Sequence, residues 1–588
     1  MLEPANHWPS TKLANNILFV AQLSRELLDP DTFESHRVFS LDTISRLKEC
    51  INLYKDLEKN RIPQKSLLLP YEEACWSVKI DPVVANVLSR ETIDTLALEL
   101  EKKDSFSKAY LAAVYLKNKL SSIYKVNLEN QILDSLTLDR KRNLIRKLVS
   151  YYCSYLINIG YSREFILESI DKLFFTQDHI RLSKGKVKQF FQLFPDTAND
   201  FYVYSEVSDN LGALLSGLSI EVKKRNQPLE HHNVTVKSKF KIKPANSYAF
   251  LKITARDNRS ALTNANEILS NVRALSFLHP HASNASWENK FYVIRKRKQS
   301  GSVLELPESP IDWLSPQTTS NPRILKDIKR YSNKIINKFD AASVHRILKS
   351  VSTASSARYA PNVEAQLISL WSAIEGLLSE PLENNSRISH FSDLMLPCIC
   401  NRHFHRRSIY LFDQLLTNYK NKFRKIVNQE KNLSNENWHY QFTAIFMFSS
   451  NEELRNRLLD LAKNNPLALN RMHQFYKDCN GPKELSAAIN SHEKRVEWQI
   501  SRIYRVRNSL VHKAEKPEYI DSVVLNLFEY YIRMLSCVVR AATKTEEESN
   551  LDHIVSGIYL DSISLKRHIK RKFKENENDI ELFKLLHA

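Results

Sequence analysis

Up to about residue 200, apolar positions recur every three or four residues, the spacing of one buried helix face. Segments 13–28, 44–57, 109–124 and 141–159 all carry it, which predicts a helical N-terminal region. In the last of these the pattern breaks at Gly160, read as a C-terminal stop, and resumes after Ser162, read as the N-cap of the next helix. Between 200 and 310 the period changes. Residues 234–242 alternate apolar with polar, as a half-exposed strand does, and 248–255 and 291–294 are further strand candidates around an amphipathic helix at 260–275. The basic run Arg295-Lys-Arg-Lys298 follows the third strand and reads as a solvated hairpin flank, with a phosphate-contacting edge as the alternative. Pro307, Pro310, Pro316 and Pro322 then mark a linker. Beyond it helical spacing returns over 324–348, 363–378, 386–425, 439–475, 486–511 and 519–543, with a basic helix or tail from 566. No fixed repeat period is present. The expectation is a mainly α, multidomain chain: a helical region 1–199, a small α/β insert 200–310, an all-α bundle 322–545 and a basic tail 546–588.

Composition narrows the function. At 588 residues the chain is too long for one core. Its 85 Lys and Arg against 66 Asp and Glu give a net charge of +19, which favours a polyanionic partner such as nucleic acid over a merely basic surface. With only 8 glycines, neither Gly-x-Gly-x-x-Gly nor Gly-x-x-x-x-Gly-Lys-Ser/Thr occurs, so both phosphate-cradling glycine loops are missing. The 7 scattered cysteines form no disulfide framework and suit a reducing compartment. The start, Met-Leu-Glu-Pro-Ala-Asn-His, lacks a basic and apolar leader, and the apolar stretch 525–539 is short and interrupted by Glu529 and Arg533. A cytoplasmic protein without a membrane partner is the expectation.

One stretch offers chemistry. Arg507-Asn508-Ser-Leu-Val-His512 closes a long charged helix whose positions Val496, Ile500, Ile503, Val506 and Leu510 form an apolar stripe. Arg495, Arg502, Arg505 and Ser509 line the other side as a cationic face. Arginine presents a permanent planar fork to a phosphate, and histidine titrates near neutrality and can move a proton to or from a ribose oxygen. Asn508 can orient either group. This is the equipment for RNA cleavage with neither metal nor other cofactor. Five residues of helix separate Arg507 from His512 by about 140° around the axis, so they meet only near a helix end or across two copies. As bare spacing the pattern equally describes a capping histidine beside a surface arginine.

The string Arg502-Ile-Tyr-Arg-Val-Arg-Asn-Ser-Leu-Val-His512, preceded by Leu367-Ile-Ser-Leu-Trp-Ser-Ala-Ile-Glu-Gly-Leu377, resembles the Apea-like branch of the HEPN superfamily. The Arg-Asn-x-x-x-His version is also similar to that of RNA-cleaving CRISPR effectors. The resemblance spans about 322–545. It implies an all-α domain that pairs into a homodimer or higher homo-oligomer with a composite ribonuclease site. It assigns catalysis to Arg507 and His512, with Asn508 supporting and Glu375 near the site; Arg502 and Arg505 are candidate supporting residues. It further implies RNA as substrate, tRNA among the candidates, and a role in anti-phage abortive infection set off by a phage-derived trigger. Residues 1–320 would then sense or restrain. HEPN toxins controlled by nucleotidyltransferase antitoxins often carry Tyr two residues after the histidine; here that position is Ala514, so such control has no support. The alternative is a non-catalytic RNA-binding or assembly module that grips phosphate with the same cationic helix.

Rival constellations are weaker. Cys398, Cys400, His403 and His405 have zinc-ligand chemistry, but structural zinc sites draw ligand pairs from separated segments. His231-His232 and His279-Pro-His281 have no carboxylate at useful spacing, and no cysteine or serine occupies a recognisable nucleophile turn.

Overall fold

Helices begin where the sequence supplies a capping oxygen. Asp42 accepts from the N–H groups of Ile44 and Ser45, Asp340 from Ser343 and Asn362 from Ala365, each relieving an otherwise unsatisfied first-turn donor. The computed structural model describes residues 11–29, 33, 41–102, 105–138, 141–175, 182–224, 247–278, 285–298, 300–315, 322–379, 387–400, 402–431, 433, 437–545 and 548–571. Helices dominate, with one small antiparallel sheet inserted among them. Gly160 takes a φ of 98°, and the Ser162 hydroxyl accepts from the Phe165 N–H at 3.2 Å, so the stop and the cap lie where the sequence places them.

The chain divides into two units. One combines residues 1–155, 177–187 and 310–588; the other combines 156–176 with 188–309. The expected separate N-terminal region ending at 199 is therefore redrawn, because its first helices pack directly on the C-terminal ones. The core of the larger unit is built by the helices Val363–Leu377, Arg387–Cys400, Pro482–Lys513, Ile520–Ala542 and Leu551–Arg571. Leu370, Trp371, Met395, Ile500, Ile503, Leu527 and Met534 are buried together there. Truncating a side chain as large as Trp371 in such a core costs about 3–5 kcal/mol. A second apolar cluster gathers Phe404, Phe412, Phe423, Phe442, Phe446 and Phe475. The segment 324–348, read as one helix, is two, Pro322–Lys338 and Ala341–Arg358, because Asp340 caps a new start. Among the described residues Ile520–Ala542 is the one helix long and apolar enough to cross a membrane; 67% of its most apolar window is buried inside the fold, as in a core helix.

The smaller unit holds strands β1 (Asn199–Val207), β2 (Val222–Lys224), β3 (Ser247–Ala255), β4 (Trp287–Arg295) and β5 (Ser302–Glu305) in the order β2-β3-β1-β4-β5, every pairing antiparallel. The helices Asp209–Gly217 and Asn258–Ala274 follow β1 and β3, giving a βαββαβ path with one added edge strand. Both helices cover one face, over Val203, Leu251, Ile253 and Phe291. The other face carries Tyr202, Tyr204, Phe250 and Tyr292, also buried. Position 301 must be glycine, since a Cβ there would collide with the Val293 carbonyl. The basic run leaves β4 at Arg295, and Lys296 pairs with Asp200 at 3.5 Å, an exposed hairpin flank. The strand candidate 234–242 and the histidines His231, His232, His279 and His281 lie outside the described residues.

Candidate functional site

The helix that carries the Arg507–His512 motif runs Pro482–Lys513, 32 residues. Pro482 sits in its first turn, where a missing N–H costs nothing. At the other end Ala514 turns left-handed, with φ 53°, and its N–H closes on the Leu510 carbonyl at 3.2 Å. His512 is thus in the final turn, as the sequence indicates. The apolar stripe is also where it was expected: Val496, Ile500, Ile503 and Val506 are buried, and Leu510 packs against the same core half-buried.

The opposite side departs from expectation. It is covered by the N-terminal helices Thr43–Glu58 and Leu68–Ile80, and its arginines are consumed there. Arg502 is 0% exposed. It donates to Glu49 Oε2 from Nε at 3.3 Å and from Nη2 at 3.0 Å, to Glu73, and to Gln499 Oε1 at 3.0 Å. Arg505 donates to Glu49 Oε1 at 2.8 Å and to the Ser501 hydroxyl at 2.6 Å. Arg46 completes the group, 2.9 Å from Glu73 Oε1 and 3.0 Å from the Ser77 hydroxyl. Lys494 pairs with Glu72 at 2.9 Å, and the Trp76 ring lies 5.2 Å from Trp498 with the Arg46 and Arg495 guanidiniums over it, 5.5 and 5.6 Å from its centroid. Burial on its own would raise the Glu49 carboxyl, but Arg502 and Arg505 outweigh it and bring it to about 2. Burial likewise opposes charge on Arg502, and Glu49 and Glu73 reverse that, so it is held protonated more firmly than usual. Arg502 and Arg505 are therefore engaged as counter-charges for N-terminal carboxylates, Arg502 buried and Arg505 half-buried, rather than open to a phosphate.

From Arg507 onward the helix changes character. Arg507 is half-buried and donates from Nη1 to Asn508 Oδ1 at 3.0 Å, and among the described residues this is its only polar contact. The Asn508 amide is thus the group in contact with Arg507. Val511 is 48% exposed and His512 is exposed. No hydrogen bond joins His512 to Arg507 within the described residues. Lys513 is anchored to Asp56 of the first N-terminal layer at 2.6 Å, fixing the backbone next to His512. The outcome is a guanidinium and an imidazole presented from the last two turns of a helix braced upstream and pinned immediately downstream.

Glu375 is not brought against either group. Its carboxylate accepts from the Trp371 indole at 2.8 Å and lies 3.9 Å from Arg387. The Trp371 ring packs 5.5 Å from Tyr504, so Glu375 reaches the motif helix through an intermediary. Three of the four zinc candidates turn to separate partners. The helix Arg387–Cys400 ends between them, and Arg402 reverses the chain in a left-handed conformation, with φ 58°. Buried Cys398 meets Cys537, His403 stacks on His492 at 3.4 Å and 6°, and His405 faces Tyr440 at 5.7 Å. Burial first, then each neighbouring cation, keeps His403 and His492 neutral well below the usual imidazole range. Their partners are protein groups on three different elements, which a shared metal would have to displace.

The residues missed from sequence are Glu49, Glu73 and Asp56. A signal existed for the second: Glu73 interrupts the apolar run Leu67-Leu-Leu-Pro-Tyr71 and Ala74-Cys-Trp76, where a charge needs a buried partner. No family model, curated protein or solved structure matches the chain.

Proposed function

We propose that the chain is a metal-independent endoribonuclease of the HEPN type, working as a dimer in anti-phage defence. The observation carrying this reading is that Arg507, bonded to Asn508, has no carboxylate partner among the described residues and shares the helix end with exposed His512, while Arg502 and Arg505 just upstream are neutralised internally. A fixed cation with spare donors is suited to a scissile phosphate and the charge that develops on it. His512 takes the proton of the ribose 2′-hydroxyl as its oxygen attacks phosphorus, the bond from phosphorus to the 5′-oxygen breaks, and the leaving 5′-oxygen takes its proton from solvent water. The products carry a 2′,3′-cyclic phosphate and a 5′-hydroxyl. The angular gap of about 140° between the two side chains supports pairing of two copies, each supplying one face of the site.

The binding-only alternative is weaker, because on the cationic face it relied on Arg502 is buried and both Arg502 and Arg505 are paired with Glu49. The N-terminal helices also take a different part from a detachable inhibitor. Deleting residues 1–155 would strip the partners of Arg502 and Arg505 and expose the helix side they cover, so the shortened chain should misfold rather than become hyperactive. The test incubates purified protein with labelled RNA in EDTA, with and without extract of phage-infected cells. Fragments ending in cyclic phosphate, absent for folded His512→Ala, support the reading; equal cleavage by that variant, or intact RNA in both conditions, removes it.

A further inference from the structure

We infer that the helix Pro322–Lys338 is a docking surface for an anionic lipid membrane. At about 100° per residue, its positions Ile324, Leu325, Ile328, Tyr331, Ile335 and Ile336 fall within an arc of about 140°. The remaining circumference holds Lys326, Lys329, Arg330, Lys334 and Lys338 against one acid, Asp327. An amphipathic helix in a globular protein normally turns its whole apolar arc to the core. This helix does so along one edge only, through Ile335, 7% exposed, and through Tyr331, whose hydroxyl meets that of Ser536 at 2.8 Å. The rest faces outward: Ile324 is 45% exposed, Leu325 61%, Ile328 56% and Ile336 59%. Ile532, one turn from Ser536 on the helix Ile520–Ala542, adds another apolar side chain at 47%.

Charge selects the occupant. Arg330 pairs with Asp327 at 3.3 Å, and Lys338 bonds the Thr545 carbonyl at 2.8 Å. Lys326, Lys329 and Lys334 make no ion pair among the described residues; Lys329 borders one edge of the apolar arc, Lys338 borders the other, and Lys334 lies just beyond Lys338 and Asp327. An aliphatic arc flanked by lysines matches the interface of an anionic bilayer, where the arc enters the acyl boundary and the lysines meet headgroups. A second copy fits less well: a symmetric contact centred here would bring the same basic flanks together, and a few aliphatic side chains fall far short of the roughly 20–30 residues a side of a stable interface. RNA fits less well too, since strands are gripped by stacking on aromatic rings, and the one aromatic here is half-buried and tied to Ser536. Lying on a membrane needs no spanning segment, so the low apolarity that argued against a membrane partner does not bear on it. The inference stands apart from Arg507 and His512.

The test is flotation of the full chain with phosphatidylcholine vesicles, with and without phosphatidylglycerol. The chain should float with the anionic vesicles only, and less as salt rises. Ile328→Glu should abolish flotation, and replacing Lys329 or Lys334, on the flanks of the arc, by Ala should weaken it about fivefold each, from roughly 1 kcal/mol per charge near the surface. None of the three positions is buried, and unchanged circular dichroism and thermal midpoints would confirm that the variants fold. Absence of flotation at low salt, or equal flotation with neutral vesicles, overturns the proposal. So does a dimer in light scattering that Ile328→Glu converts to monomer without any vesicle binding, which assigns the face to a second copy. RNA binding that falls with the lysine variants, in a chain that ignores vesicles, overturns it in favour of nucleic acid.

Discussion

Between Lys494 and Arg505 the motif helix is enclosed on both sides, by the C-terminal core and by the N-terminal helices; between Arg507 and His512 it emerges, half-buried through Leu510 and exposed at Val511 and His512. Both stretches set arginine among aliphatic residues, three upstream and one downstream, yet the arginines do different physical work. Upstream, Arg46, Arg502 and Arg505 surround Glu49 and Glu73; Arg46, Glu73 and Arg502 are buried, and each of these charges is tolerable only because the others are present. Downstream, Arg507 has a neutral amide for company. The difference teaches that a cationic helix face is not evidence of a polyanionic ligand until its partners inside the chain are known. It also separates stability from chemistry along a single helix.

Substitutions can break that separation. The largest effect is expected for Glu73→Ala, which leaves Arg46 and Arg502 buried with too little counter-charge; a loss of about 3–5 kcal/mol should appear in the denaturant midpoint. A loss below about 1 kcal/mol would mean that water reaches the network. His512→Ala should reduce RNA cleavage by about 10²–10⁴-fold while moving stability by no more than about 0.5 kcal/mol, since the side chain is exposed. Acid exposes the clamp next. Glu49 falls from an ordinary 4.5 to about 2 in the folded chain, so its contribution is complete above the ordinary value and disappears as pH drops through about 2. Wild type should therefore lose stability between those limits more steeply than Glu49→Gln, and superimposable acid titrations of the two would contradict the clamp. The smallest effect belongs to Lys513→Ala, which removes a partly exposed pair with Asp56 and should cost about 0.2–1 kcal/mol. Its cleavage rate tests whether pinning that residue matters to His512.

Local order was legible where one face of an element is buried and the other wet. The helix Lys12–Leu28, the Gly160 stop, the Ser162 cap and the stripe from Val496 to Leu510 all follow from periodicity and side-chain chemistry. Strand β1 was not legible, because positions 201–207 are buried in succession and show no alternation. The break at Asp340 was hidden within an uninterrupted apolar period. In the candidate site, the helix end near His512 could be read from Pro517, whereas the fate of Arg502 could not. Its partner Glu49 is 453 positions away, and nothing local to either residue specifies the other.

The division of labour is tested most directly by comparing Arg505→Ala with Arg507→Ala, two arginines of one helix, for RNA cleavage in EDTA with each rate referred to the folded fraction. Arg505→Ala should lower the unfolding midpoint and cleave at the wild-type rate per folded molecule; Arg507→Ala should keep the midpoint and lose cleavage. A folded Arg505→Ala without activity, together with a fully active Arg507→Ala, would contradict the account.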